Sequence, residues 1–268
     1  MFSGYVSKQT VVDELAVAKG TGALHLGTLV GQTFTSHGWG FGLLQHDLLP
    51  EFLLNLYSFS AHGYTRGTWC TPEECKFSST DALSCESPAC GSAECTNGKF
   101  NRQGCASPFA APPVLTTALN LGWALVYEDP IERSLWLGKA TPELWWSVGE
   151  TIALRNAPTR YGRVTYTADV TASSASINIT VPTVWATAAA SAACAGSTDT
   201  SWCGAPRGGL MVRARLPGGA KITSATIGGA GAPTVWSGRA DDATLTFTLH
   251  DLAQAGLVAQ LQTIVVHY

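Results

Sequence analysis

Near Ile131 the hydrophobic period of the chain changes, and this change constrains the fold more than any other feature. Upstream, apolar residues recur every three or four positions, the mark of helices with one buried side. Downstream, short runs rich in Val, Ile and Thr alternate in and out with a period of two, the mark of strands. The runs are "GRVTYTADV", "ASINITV", "LMVRARL", "AKITSATI", "ATLTFTL" and "QTIVVHY", with Gly-Gly, Pro-Gly and Asp-Asp turn signals between them. Leu245, Phe247 and Leu249 alternate with Thr244, Thr246 and Thr248, giving one core face and one wet face. Such a series predicts an antiparallel β-sandwich over residues 131–268. Residues 1–130 read as helices and loops. The expected fold class is therefore α+β in two domains, the second an antiparallel sandwich.

Within the helical part, "TVVDELAVAKG" predicts a short helix from Thr10 to Gly20, with Thr10 and Asp13 in a capping arrangement. The Gly-rich stretch "GTGALHLGTLVGQTFTSHGWGFG" has no period and reads as a loop. In "LLQHDLLPEFLLNLYSFSAHG", Leu49, Phe52, Leu53, Leu56 and Phe59 keep helical spacing. Pro50 belongs in the first turn of a helix starting near Asp47, because a proline there sacrifices no intrahelical bond. That helix is apolar nearly all round, as expected inside a larger helical body. A last helix opens at Pro112-Pro113, carries Val114, Leu115, Ala118, Leu119 and Trp123 on its apolar side, and ends near Tyr127.

Eight cysteines lie in the chain, and Cys70, Cys75, Cys85, Cys90, Cys95 and Cys105 fall in one Ser-, Gly- and Asn-rich insert at 70–105. Such a segment cannot build a core, so cross-links must hold it. The five-residue steps from Cys70 to Cys75 and through Cys85, Cys90 and Cys95 are at the edge of zinc-ribbon spacing, and the insert has no histidine. The reading therefore favours disulfides, with Cys194 and Cys203 as a further candidate pair, and no metal or other cofactor. An even cysteine count and the acceptor sequence Asn178-Ile-Thr point to a secreted or lumenal location. The N-terminal residues "MFSGYVSKQTVVDELAV" lack the basic start, apolar run and cleavage site of a signal peptide. The expectation is thus a fragment, or a start codon placed too late.

Charged residues make up 13% of the chain and the net charge is −3, which gives no electrostatic footprint for nucleic acid or an anionic membrane. No apolar run reaches the roughly 18 residues of a transmembrane helix. The sequence holds no G-x-S-x-G, phosphate-binding loop, dinucleotide fingerprint or H-E-x-x-H, which argues against an esterase, a nucleotide enzyme and a zinc protease.

The segments "AHGYTRGTW" with Pro72-Glu73, "LVYED", "LWLGKATPELWW", "ETIALRNAPTRYGRVTY" and "VRARLPGGAKITSATIGG" together resemble the C-terminal part of bacterial-type six-hairpin glycosidases. The junction, "LWLGKATPELW" followed by "GETIALRNAPTRYGRVTY", is the most specific piece, and the resemblance covers roughly residues 38–268 apart from the cysteine insert. It implies a partial (α/α)6 toroid at 1–130, the sandwich behind it, a carbohydrate substrate, and a missing N-terminal toroid segment of the same protein.

Glycoside hydrolysis usually needs two carboxyl groups, about 5–5.5 Å apart for retention or roughly 6.5–9.5 Å for inversion. Glu73 and Glu74 lie ahead of the last helix, where some enzymes of this kind keep a catalytic carboxylate. Adjacent residues diverge in direction, so at most one faces the sugar, with Asp47, Glu51 or an absent residue as its partner. The bland reading makes both glutamates a solvated helix start after Pro72. Trp69 has the flat amphipathic ring that stacks on a pyranose, and His62, Tyr64 and Arg66 carry groups that bond hydroxyls. The bland reading makes these core filler and a structural ion pair. His37, Trp39 and Phe41 form a second candidate rim, or a glycine-loosened turn. Trp136, Trp145, Trp146, Trp185, Trp202 and Trp236 are read as packing rather than as a polysaccharide platform. The runner-up function is a non-catalytic carbohydrate-binding or structural module.

Overall fold

The structure, a computed structural model, describes residues 7–21, 36–62, 114–182, 185, 204–220, 222–227, 230–231, 235–236, 243–247 and 262–268. The chain divides into two compact units, Met1–Trp123 and Ala124–Tyr268. The fold is an α+β combination of a helical unit and a two-sheet unit.

Four helices are described: α1 (Lys8–Thr21), α2 (Ser36–Gln45), α3 (Leu49–His62) and α4 (Thr116–Leu125). The cap of α1 is Ser7, not Thr10. The Thr10 amide donates to Ser7 Oγ at 3.1 Å, while Asp13 accepts from Gln9 Nε2 at 2.7 Å and does not reach back to the helix start.

Residues 36–42, expected as part of a loop, are helical in α2, and His37, Trp39 and Phe41 all lie on it. Glycine is a poor helix former, but here its missing side chain is what lets α2 pack. A Cβ on Gly40 would overlap the carboxamide of Asn120 on α4, whereas one on Gly42 would meet Val11 on α1 at 3.6 Å, an ordinary contact, so the close approach is at Gly40. Leu43 and Leu44 are fully buried on the same helix. Close packing against neighbouring helices outweighs the weak propensity.

The helix ends in a Schellman arrangement, with Leu48 N–H donating to Leu43 O at 2.9 Å, Asp47 N–H to Leu44 O at 3.2 Å, and Asp47 at φ 59°. α3 starts directly behind it with Pro50 in its first turn, as the sequence predicts. Its stripe of Leu49, Phe52, Leu56 and Phe59 is buried.

The last helix departs from expectation in its orientation. The predicted apolar side is the outer one, with Leu115 at 56% and Leu119 at 40% exposure, while Thr116, Asn120 and Ala124 are completely buried. The buried stripe repeats every four residues, so it is a true helical face, but a polar one. The chain leaves α4 at Leu125 straight into a strand, so Tyr127 is a strand residue.

Eleven strands are described in the second unit: β1 (Val126–Glu128), β2 (Leu135–Leu137), β3 (Thr151–Thr159), β4 (Gly162–Val170), β5 (Ser174–Thr180), β6 (Leu210–Ala214), β7 (Ser224–Ile227), β8 (Ala230–Gly231), β9 (Val235–Trp236), β10 (Ala243–Phe247) and β11 (Gln262–His267). All six runs picked out by period are among them. They form sheets ordered β1-β2-β6-β10-β9 and β3-β4-β5-β11-β7-β8. The pairing is not wholly antiparallel. β2 runs parallel to β6, with Leu135 opposite Leu210 and Leu137 opposite Val212, because after β2 the chain builds β3 to β5 of the other sheet before returning. The strands also begin at Val126, ahead of the expected boundary at Ile131.

The core lies between the sheets. Leu135, Leu137, Val212 and Ala214 from one meet Ile152, Val164, Tyr166, Ala168, Ile177 and Val266 from the other. Trp146, in a single 3-10 turn at Glu143–Trp146, fills the same core and donates its indole N–H to Thr141 Oγ1 at 2.9 Å. Trp185 packs against this core and donates to Tyr161 O at 2.8 Å. β3 is an edge strand, which accommodates Pro158 and a bulge between Leu154 and Ala157 where Asn156 takes φ 54°. Its hairpin to β4 turns through Arg160-Tyr161 with Gly162 at φ 107°.

Candidate functional site

Of the residues singled out in the sequence, Tyr64, Arg66, Trp69, Glu73, Glu74 and all eight cysteines (Cys70, Cys75, Cys85, Cys90, Cys95, Cys105, Cys194 and Cys203) lie outside the described residues. His62 is the last residue of α3 and His37 the second residue of α2. Asp47 and Glu51 fall on either side of the α3 start. Asn178 sits on β5, opposite Thr167 of β4 and Thr263 of β11.

Trp39 leads to a site that hydrophobic periodicity does not find. It is half-buried on α2, and its indole N–H is enclosed with no hydrogen-bond partner. Its neighbour Gly40 lies against the Asn120 carboxamide. Asn120, Thr116 one turn earlier on α4, and Asn55 on α3 are fully buried, and none of their side-chain polar atoms is bonded. The amide of Gln45, at the end of α2, is in the same condition. The three helices that carry these groups are joined at several points. The hairpin turn links α2 to α3, Ser60 Oγ lies 3.2 Å from Thr117 Oγ1, and Phe41 meets Trp123 edge-on at 5.2 Å between ring centres. Among the described residues of this unit no charged side chain is buried. The groups present are carboxamides, a hydroxyl and an indole N–H, which both donate and accept but carry no charge. The signal in the sequence was the lone Asn inside each of two apolar helices, since buried polar residues are the informative exception.

The second unit carries a different cluster, on the face of the first sheet that points away from its core. Register sets Tyr127 opposite Trp136, and Trp136 opposite Met211. Lys139 Nζ stands 3.9 Å from the centre of the Trp136 ring and 4.7 Å from that of Tyr127, and the Arg213 guanidinium lies 4.9 Å from Trp136. Arg213 Nη1 donates to Lys139 O at 3.0 Å, and both cations are almost fully buried. Aromatic faces stabilise cations held out of water in this way. Burial pushes the hydroxyls of Tyr127 and Tyr166 well above the usual phenol range, with the Asp129 charge adding to the effect at Tyr127. Nearby, burial raises the Glu128 carboxyl, and the bond from the Arg160 amide and the Arg160 charge pull it partly back. Arg160 N–H donates to Glu128 Oε1 at 2.9 Å, and Arg160 Nε lies 3.4 Å from Oε2.

No group of three or more His, Cys, Asp or Glu able to hold a metal occurs among the described residues, and no described helix is long and apolar enough to cross a membrane.

No protein-family model and no curated protein sequence matches the chain. Among solved structures, the chain is similar to Ara127N-Se, a GH127 β-L-arabinofuranosidase from Geobacillus stearothermophilus T6, at 11% identity and a TM-score of 0.35. The overlap takes in 90% of this chain and 33% of the other, so the chain spans about a third of that enzyme's length. At this identity and overlap the likeness assigns no residue a role.

Proposed function

We propose that the chain supplies helices and the β-sandwich of a secreted or lumenal glycoside hydrolase acting on oligo- or polysaccharide, with further helices of the same protein completing an (α/α)6 ring. The observation that carries this reading is the junction. The helix α4 passes without a linker into β1 and β2, within the segments "LVYED" and "LWLGKATPELWW" on which the resemblance to six-hairpin glycosidases is strongest. The activity follows by analogy of fold and junction, because folds of this kind do not by themselves fix a chemistry. In this reading His62 at the end of α3 and Tyr64, Arg66 and Trp69 after it border the sugar cleft, with His37 and Trp39 on a second rim, and Glu73 is the favoured candidate acid ahead of Glu74. The exposed Leu115 and Leu119 of α4, with Leu54 and Tyr57 of α3 at 45% and 49% exposure, are apolar surface that further helices would cover.

The test is hydrolysis of a panel of nitrophenyl glycosides by this chain and by any longer natural form. Release of nitrophenol by the longer form supports the reading, and its loss in Glu73→Gln supports the assignment of the acid. Binding of saccharide without hydrolysis by either form favours the runner-up, a carbohydrate-binding sandwich, which is consistent with the separate core of that unit.

A further inference from the structure

From the placement of Asn178 we infer a modification site: an N-linked glycan carried on the outer face of the second sheet, a face that stays uncovered in the folded protein. The site rests on the secreted or lumenal reading, since that route brings the chain to the enzymes of N-glycosylation. Of the six asparagines in the chain, Asn178 alone has a hydroxyl residue two places on, in Asn178-Ile179-Thr180. Such an acceptor is usable when the amide and the hydroxyl can be presented together and the sugar can point into water. β5 meets both conditions. Residues two apart on a strand share a side. Ser174, Ser176, Asn178 and Thr180 are half-exposed, while Ala175, Ile177 and Ile179 between them are buried.

The surroundings suit a glycan. β5 is an inner strand, and register sets Asn178 opposite Thr167 of β4 and Thr263 of β11. Thr165 and Thr167 on the outward side of β4 and Val265 on β11 are half-exposed as well, and Asp169 is exposed. These neighbours are short and none is aromatic. The outer face of the first sheet is the opposite case. It carries Tyr127, Trp136, Lys139, Met211 and Arg213, and Tyr127, Lys139 and Arg213 are buried there. One outer face is aromatic, cationic and covered; the other bears hydroxyls and is open. A glycan is bulky and hydrophilic, so the second face tolerates it and the first does not. In the transfer, Asn178 Nδ2 forms a bond to the anomeric carbon of an oligosaccharide. The bond from that carbon to a lipid-linked diphosphate breaks, and the amide gives up one proton. Transfer to the emerging chain precedes sheet formation, so an inner strand is no obstacle where the finished face accepts the sugar.

The test translates the full chain, with a secretion leader added, in the presence of endoplasmic-reticulum microsomes. The protease-protected chain should carry one glycan, removable by a glycan-cleaving amidase. Asn178→Gln and Thr180→Ala should abolish that mass shift, and Thr180→Ser should keep it at least in part. A protected chain without a glycan, or a glycan that survives Asn178→Gln, overturns the site. For the open face, the unglycosylated full chain is compared with Asn178→Arg by thermal melting. Equal melting temperatures support an uncovered face. A clear drop overturns it, because the larger polar group then meets something on that side. The two readings fail separately. If the chain is glycosylated but its longer form releases no nitrophenol, the glycosidase reading falls alone. If the longer form is active but Asn178 stays bare, this site falls alone.

Discussion

At the scale of single residues, Glu128 shows how burial and pairing oppose one another. Its carboxyl is raised because desolvation outweighs the Arg160 contacts. A carboxyl raised in the folded state favours folding most at pH below its unfolded value, and that contribution is lost as pH rises through the raised folded value. Glu128→Gln should therefore melt higher than the parent at neutral pH, with the gap closing below the ordinary carboxylate range. Thermal melts of both proteins at pH 7 and in acid check the sign. Gly40→Ala tests the tightest approach between helices. The new methyl overlaps the Asn120 carboxamide, and such overpacking costs about 1–3 kcal/mol. Pairing it with Asn120→Ala should recover much of the loss in urea unfolding, while additive losses would mean that the two residues do not meet. Little of this neighbourhood was legible in the sequence. Hydrophobic periodicity picks out the apolar residues that keep a helical spacing, so it singles out neither Asn55 nor Asn120, although Trp39 next to Gly40 is among the candidate residues. Nothing in the pattern says that a neighbouring helix has made a polar face its inner one.

The strands were legible because each carries its own evidence, β-branched residues at alternate positions with glycine turns between them. β5 shows the rule cleanly, with Ala175, Ile177 and Ile179 buried and the residues between them half-exposed. The parallel pairing of β2 with β6 was not legible, because nothing local records which distant strand lies alongside. The helix α2 was missed for a related reason, since its glycines score as loop until the helices that press on them are known. Element-scale predictions follow from the turned face of α4. Leu115→Lys and Leu119→Lys should each change stability by no more than about 0.5 kcal/mol, as at other exposed sites, although the sequence pattern marks both as core. Trp146→Ala, which empties a site between the sheets and orphans Thr141 Oγ1 as an acceptor, should cost about 3–5 kcal/mol. Urea titrations of the three variants rank them, and a large loss at Leu119 would show that α4 is covered on that side.

For the whole molecule, the decisive feature is that the residues closing the sandwich core all belong to the second unit. Leu135 and Leu137 of β2, Trp146, the inward residues of β3 to β6 and Val266 of β11 form one buried cluster, all of it drawn from after the unit boundary. The last strand helps to close it. β11 sits between β5 and β7, its Val266 is fully buried, and Tyr268 donates its hydroxyl to Thr171 O while its amide bonds Ser173 O. A domain with its own core is able to fold by itself. Residues 124–268 produced alone should therefore melt cooperatively and keep a near-ultraviolet circular dichroism signal from Trp146 in its rigid setting. Removing residues 262–268 from that piece should abolish the transition, because β5 and β7 lose the strand that joins them. The cost to watch is the outer face with Tyr127, Lys139 and Arg213, where two cations are buried against rings in the full chain. If residues 124–268 stay unfolded or lack a sharp transition, the inner core is insufficient without whatever shelters those cations. If they fold, the helices and the sandwich are separable in stability, and each can be assayed for saccharide without the other.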